Sequence, residues 1–301
     1  MARTRSLLEL EHLSADEITS FLKLARRMQS GKPRPLLRGK RIALLFYEAS
    51  TRTRVSFEFA AKLLGTHTSV ISATASSIEK GESLVDTGKT LQALGSDCII
   101  VRHPSSGAPQ VLARNLQIPI INAGDGMHEH PSQGLLDAYT ILRHKRSLKG
   151  LRITMVGDIQ HSRVVRSNVH LLSKFGAQII LCGPPELLPE YAASLAPGVK
   201  VSRHIEEATR KADVIMMLRV QKERLAGLKL DADNYIAHYQ LTPERLKLAK
   251  SDAIVMHPGP MVRGMEIQSE VADGPQSVIE EQVHNGVYVR MAILASCLGV
   301  A

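Results

Sequence analysis

With 301 residues, 44% of them hydrophobic, the chain has enough material for two ordinary domains, each burying its own core. The net charge of +9 invites a nucleic-acid reading, but the basic residues are scattered, aromatics make up only 4% and Trp is absent, so the stacking platforms of nucleic-acid binders are scarce and no such partner is expected. No apolar run approaches the roughly 18 residues of a membrane span, Glu9 and Glu11 break the apolar stretch near the N-terminus, and Cys98, Cys182 and Cys297 make neither a disulfide framework nor a zinc motif, which points to a cytosolic (cytoplasmic) protein with no membrane partner.

The chain opens with a capping box, Ser14-Ala15-Asp16-Glu17, after which Ile18, Phe21, Leu22, Ala25 and Met28 recur at helical spacing until Gly31. From Arg41 the rhythm changes. Strand-length apolar runs at Ile42–Tyr47, Ser69–Ser72, Cys98–Val101 and Ile118–Ile121 alternate with helical segments at Val55–Leu64, Leu84–Leu94 and Pro109–Leu116. A long helix is predicted over Pro131–Arg146, with proline at its start. After Gly150 the alternation resumes, with strands at Ile153–Val156, Gln178–Leu181, Val214–Leu218 and Ala253–Met256, helices between them, and a last helical region over Ser277–Leu298. Strand alternating with helix, and strands that are nearly continuously apolar, predict α/β architecture: two doubly wound parallel-sheet domains joined by interdomain helices and hinged near Glu129–Arg146. Ligands of such folds bind at the carboxyl ends of the strands.

The polar motifs fall at those ends. The first strand runs into Ser50-Thr51-Arg52-Thr53-Arg54 and then a helix, where unpaired N–H groups, three hydroxyls and a guanidinium suit a phosphate. An ordinary Ser/Thr cap followed by solvated arginines is an equal alternative, and the glycines of a Walker loop are missing. Arg102 leaves a strand in Val101-Arg102-His103-Pro104. His128-Glu129-His130-Pro131-Ser132-Gln133 places His130 and Gln133 one turn apart at a helix mouth, and His128 with His130 lacks a third metal ligand at characteristic spacing. In the second half, Gly157-Asp158-Ile159-Gln160-His161-Ser162-Arg163 opens a helix, Leu218-Arg219-Val220-Gln221 closes a strand, and His257-Pro258-Gly259-Pro260 forms a rigid turn with free carbonyls. Arg163 and Arg219 would suit a dicarboxylate. The connection containing Ser76 and Lys80, about a dozen residues, exceeds the usual length.

Taken in order, STRTR, SSIEKGES, VRHP, HPSQGLLDA, GDIQHSR, RVQKERL and HPGPMVRGMEI resemble the catalytic chains of the aspartate carbamoyltransferase family over residues 6 to 298. The resemblance implies transfer of a carbamoyl group from carbamoyl phosphate to L-aspartate, an early step of pyrimidine biosynthesis. It implies a carbamoyl phosphate-binding domain over residues 1–130 with 280–301 and an aspartate-binding domain over 131–279. It further implies that Ser50, Thr51, Arg52 and Thr53 hold the phosphate, and that Arg102 bridges phosphate and carbonyl oxygen while His130 donates to that oxygen. Gln133 and the carbonyls of Pro258 and Gly259 would hold the carbamoyl NH2, with Pro260 beside them; Arg163, Arg219 and Gln221 would hold aspartate. Ser76 and Lys80 would reach the active site of the adjacent subunit, with Lys80 also at the aspartate, so a homotrimer is expected. Larger assemblies with a regulatory chain or a dihydroorotase are left open, as is control by nucleotides. Neither metal nor organic cofactor is expected. Val262 stands where the family pattern has Asn. An ornithine-type carbamoyltransferase would share the STRTR site but would need an acidic residue for its acceptor and typically a Cys in place of Pro258. A non-catalytic scaffold should have lost some of the anion-site residues, all of which are present.

Overall fold

The computed structural model describes residues 5–31, 34–72, 81–220 and 231–300, which form two compact units. One comprises the residues up to Tyr139 together with those from His284 onward, and the other runs from Thr140 to Val283. The sequence reading places the break at 130/131 and the return near 280, so the division by contacts falls nine residues further into the long helix and four residues later at the end.

The first unit begins with α1 (Ala15–Ser30), whose capping box is formed: Ser14 Oγ accepts from Glu17 N at 3.2 Å, and Glu17 Oε2 accepts from Ser14 N at 2.9 Å. Four parallel strands follow, β1 (Arg41–Phe46), β2 (His67–Ser72), β3 (Cys98–His103) and β4 (Ile120–Asp125), in the spatial order β2-β1-β3-β4. The helices between them are α2 (Thr51–Leu63), α3 (Leu84–Ala93) and α4 (Ala108–Asn115). The chain passes outward from β1 to β2 and then crosses back to β3 on the other side of β1. The carboxyl ends of β1 and β3 therefore flank the switch point of this sheet. Ala43, Leu45, Ile99, Val101, Leu112, Leu116 and Ile120 pack into one core between the sheet and α4.

The second unit repeats the plan with β5 (Arg152–Val156), β6 (Gln178–Cys182), β7 (Lys200–Ser202), β8 (Val214–Met217) and β9 (Ile254–Met256), all parallel and ordered β7-β6-β5-β8-β9. Its helices are α6 (Arg163–Lys174), α7 (Ile205–Thr209), α8 (Ala232–Tyr239), α9 (Pro243–Leu246) and α10 (Ser269–Ala272). Here the switch point lies between β5 and β8. Gly157, at the end of β5, has φ +135°, and a Cβ there would come within 2.7 Å of the Leu218 carbonyl oxygen, so only glycine lets these two strand ends approach so closely. Two helices have their ends in different units: α5 (Pro131–His144) and α11 (Ile279–Cys297).

Several boundaries differ from the sequence reading. Helix α2 begins at Thr51 rather than Val55, because its first turn is polar and carries no apolar rhythm. β4 runs over Ile120–Asp125 rather than Ile118–Ile121: Asn122 and Asp125 are buried in it and satisfy one another at 2.7 Å. β7 was not anticipated, being three residues long with two polar ones. Among the described residues no helix is long and apolar enough to cross a membrane.

Candidate active site

In the first unit the sequence-predicted residues collect at the carboxyl ends of β1, β3 and β4. Ser50 is the N-cap of α2 without a side-chain cap bond, Thr51 and Arg52 are exposed in its first turn, and Thr53 is buried. No helical carbonyls precede this turn, so its N–H groups and the positive dipole end face outward. Thr53 Oγ1 lies 3.5 Å from Nε2 of His130, which joins the α2 motif to the entry of α5. His130 is buried, with Nδ1 3.3 Å from Ser132 Oγ. Arg102, at the end of β3, is held at two points: Nη1 donates to the Ala123 carbonyl at 3.4 Å, and Nε lies 3.4 Å from the Glu48 carboxylate. Glu48 was not singled out from the sequence, yet it follows β1, whose Phe46 is in register with Arg102.

The start of α5 is fastened from below. Glu129 has no exposed surface, and its carboxylate accepts from Leu10 N and Glu11 N, each at 3.0 Å, so the N-terminal segment holds the residue before His130. Gln133 N and Gly134 N both donate to the His130 carbonyl, at 2.9 and 3.1 Å, which makes His130 the turn before the helix and puts Gln133 one turn in. His128 is taken up by acids: Nδ1 lies 3.1 Å from Asp125, and Nε2 3.7 Å from Glu9. The hydrogen bond that His128 donates to Asp125 raises the His128 pKa. Among the described residues no group of three His, Cys, Asp or Glu could hold a metal ion.

In the second unit the predicted residues stand around the β5–β8 switch point. Arg163, half-buried, is the first residue of α6, whose N-cap Ser162 accepts from Val165 N at 3.2 Å. Asp158, buried, fixes the turn before it by accepting from His161 N at 3.1 Å and pairing with His161 Nδ1 at 2.9 Å. Arg219 is exposed immediately after β8. Gln221, Ser76 and Lys80 lie outside the described residues.

The turn after β9 is the most tightly specified part of this unit. His257 N donates to Gln282 Oε1 at 3.0 Å, Gly259 N donates to His257 Nδ1 at 2.8 Å, and His257 Nε2 lies 3.1 Å from Glu266 Oε1. Because Nδ1 accepts, the ring is neutral with its proton on Nε2, and its contact with Glu266 is a hydrogen bond rather than an ion pair. Glu266 Oε1 also accepts from Val262 N at 2.6 Å, so one buried carboxyl holds both arms of the turn. Pro258 and Gly259 are half-buried and Pro260 exposed, with a cis bond between Gly259 and Pro260. Tyr235 is fully buried, and its hydroxyl pKa is pushed well up, first by burial and then by the Glu266 charge. Sequence reasoning named the turn but missed Glu266, whose partner His257 is nine residues away with no periodic signal.

Two parallel α/β units, each with polar side chains at its switch point and one with an anion-suited helix start, define a two-domain α/β architecture of the ligand-binding kind. The chain belongs to the aspartate/ornithine carbamoyltransferase family: the model of its carbamoyl-P binding domain matches residues 5–143, and that of its Asp/Orn binding domain matches residues 149–297. The aspartate carbamoyltransferase catalytic subunit of Koribacter versatilis is 63% identical over 296 residues, covering 98% of both chains. Among solved structures, aspartate transcarbamoylase from Trypanosoma cruzi in complex with carbamoyl phosphate and aspartate is 33% identical with a TM-score of 0.88, covering 98% of this chain and 97% of that one. Ornithine carbamoyltransferase from Pyrococcus furiosus is 30% identical with a TM-score of 0.87, covering 99% of each.

Proposed function

We infer that the chain transfers the carbamoyl group of carbamoyl phosphate to L-aspartate, giving N-carbamoyl-L-aspartate and phosphate. The fold does not choose the acceptor, since TM-scores of 0.88 and 0.87 separate the aspartate and ornithine enzymes by almost nothing. The observation that carries the choice is the pair of guanidinium groups at the second switch point, Arg163 on α6 and Arg219 after β8, which match two carboxylates. The cationic side chain of ornithine needs an acid instead, and Asp158, the acid of this turn, is buried and bonded to His161.

In this reading Ser50, Thr51, Arg52 and Thr53 take the phosphate at the start of α2. Arg102 bridges phosphate and carbonyl oxygen, Thr53 and His130 donate to that oxygen, and Gln133 with the carbonyls of Pro258 and Gly259 holds the NH2 group, Pro260 lying beside them. Arg163, Arg219, Gln221 and Lys80 bind aspartate. The neutral aspartate amine attacks the carbamoyl carbon, the C–O bond to phosphate breaks, and the amine proton leaves with the phosphate. Charge grows on the carbonyl oxygen in the transition state, where each preorganised donor is worth roughly a hundredfold or more in rate. Holding both substrates in line supplies much of the remaining acceleration.

The active unit in this reading is a homotrimer, with Ser76 and Lys80 entering the neighbouring subunit's site. The first test is acceptor choice: purified protein, carbamoyl phosphate, and aspartate or ornithine, with ureido product measured colorimetrically. Faster carbamoylation of ornithine would overturn the reading.

A further inference from the structure

Asp137 lies one turn after Gln133 on α5, has no exposed surface, and accepts from Gln133 Nε2 at 2.8 Å. A carboxylate only accepts, so it dictates which end of the neighbouring amide turns towards it: NH2 to Asp137, Oε1 away. An amide in place of Asp137 would impose no such choice, because it donates and accepts alike.

The charge of Asp137 is felt by Arg290 on α11, which is only 3% exposed. Burial lowers the Arg290 pKa to about 10, with Asp137 pulling the other way. Its guanidinium carbon stands 5.1 Å from the ring centroid of Phe57 on α2, a cation–π contact in a water-excluded setting. Room for it comes from Gly286, one turn earlier on α11, where a Cβ would collide with Nη1 of Arg290. Three helices of this unit thus converge on a buried opposite-charge pair, an arrangement whose desolvation hydrophobic residues would avoid. Stability alone therefore does not account for it.

We propose that Asp137 and Arg290 are positioning residues that lock the Gln133 amide with its oxygen as acceptor, so that the site selects a substrate group bearing N–H. The inference rests on the reading that Gln133 meets the carbamoyl NH2. Acetyl phosphate is the natural probe, since it puts a methyl group where carbamoyl phosphate has NH2 and is otherwise the same acyl phosphate.

The experiment measures dissociation constants of carbamoyl phosphate, acetyl phosphate and inorganic phosphate for the wild-type protein and for Asp137→Asn. The wild type binds carbamoyl phosphate more tightly than acetyl phosphate. Asp137→Asn frees the Gln133 amide to turn and lowers that preference about tenfold, the worth of one hydrogen bond, while acetyl phosphate and phosphate bind within about twofold of wild type. General damage to the site would weaken all three ligands in parallel, and that result, or an undiminished preference, overturns the proposal. A wild type that does not distinguish the two acyl phosphates refutes the reading of Gln133 itself, and the proposal falls with it. One further measurement does not depend on any Asp137 variant folding. In the ligand-free wild type the side-chain amide protons of Gln133, identified by NMR through their loss in Gln133→Met, exchange slowly with solvent; exchange at the rate of exposed glutamine amides refutes the lock.

Discussion

The turn after β9 offers a quantitative test of how this unit is held together. His257→Leu removes the acceptor for Gly259 N–H and the Nε2 donor to Glu266, whose carboxyl is entirely buried and whose Oε2 has no hydrogen-bond partner among the described residues. Water can reach the half-buried Gly259, so most of the loss comes from the Glu266 carboxyl, which is left with Val262 N–H as its donor among the described residues. At about 1–3 kcal/mol for each buried polar group left unsatisfied, the substitution costs roughly 2–3 kcal/mol. Glu266→Met strands the buried Nε2–H of His257 and the Val262 N–H, for a similar roughly 2–3 kcal/mol. If the two side chains chiefly satisfy each other, removing both costs little more than removing either, and a double-mutant cycle gives a coupling of about 2 kcal/mol. The assay is urea unfolding of the four proteins followed by circular dichroism, because the chain contains no Trp. Strictly additive losses, within about 0.5 kcal/mol, would refute the claim that one bonded pair fixes the turn.

Four further outcomes follow from the same geometry. Arg219→Ala raises the Michaelis constant for aspartate by about ten- to a hundredfold, the loss of one charged hydrogen bond of roughly 1.5–3 kcal/mol, and leaves that for carbamoyl phosphate nearly unchanged in steady-state assays. His130→Ala lowers turnover on the order of a hundredfold; turnover near wild type in the same assay reduces His130 to a helix-entry residue. The Asp125–His128 pair makes stability pH-dependent: hydrogen bonding to Asp125 raises the His128 pKa above 6.5, while bonds from His128, Asn122 and Gly107 outweigh burial and lower that of Asp125 below 3.8. The pair's contribution is therefore complete near pH 5–6, declines as pH rises through the raised His128 value or falls through the lowered Asp125 value, and His128→Asn costs more at pH 6 than at pH 9, by about 0.5–1 kcal/mol in denaturant titrations. Finally, mixing inactive Lys80→Ala and Arg52→Ala chains under verified subunit exchange restores part of the activity if Lys80 serves a neighbour's site, whereas a mixture as inactive as its parents refutes the shared-site reading.

The fold and the candidate site were unequally legible in the sequence, for a physical reason that individual residues show. Strand-length apolar runs such as Ile42–Tyr47 and Val214–Leu218 announce a sheet covered on both faces, and the helix and strand periods differ enough to give the order of elements. The alternating pattern also places ligands at the carboxyl ends of the strands, which is why Arg52, Arg102, Arg163 and Arg219 are recognisable in the sequence as strand-end or helix-start cations, while the switch points they stand at follow only from the strand order of the fold. What periodicity cannot register is a polar residue whose meaning depends on burial. Asp137, Arg290 and Glu266 draw no individual reading from the sequence, since each is an ordinary charged residue at its place in the chain. All three are at most 3% exposed, and each is bonded or electrostatically linked to a partner that its local sequence pattern does not announce. An unsatisfied buried polar group is costly, so such groups are held against partners, and the matching is set by tertiary packing rather than local pattern. The groups expected to touch substrate sit at strand and helix ends, where sequence order alone exposes them. The groups that orient them are set behind, in the core. Their absence from a motif therefore says nothing about their importance, and the amide of Gln133 illustrates the point: its position follows from being one turn into α5, but the NH2 end is turned towards Asp137 by a hydrogen bond that the motif does not announce.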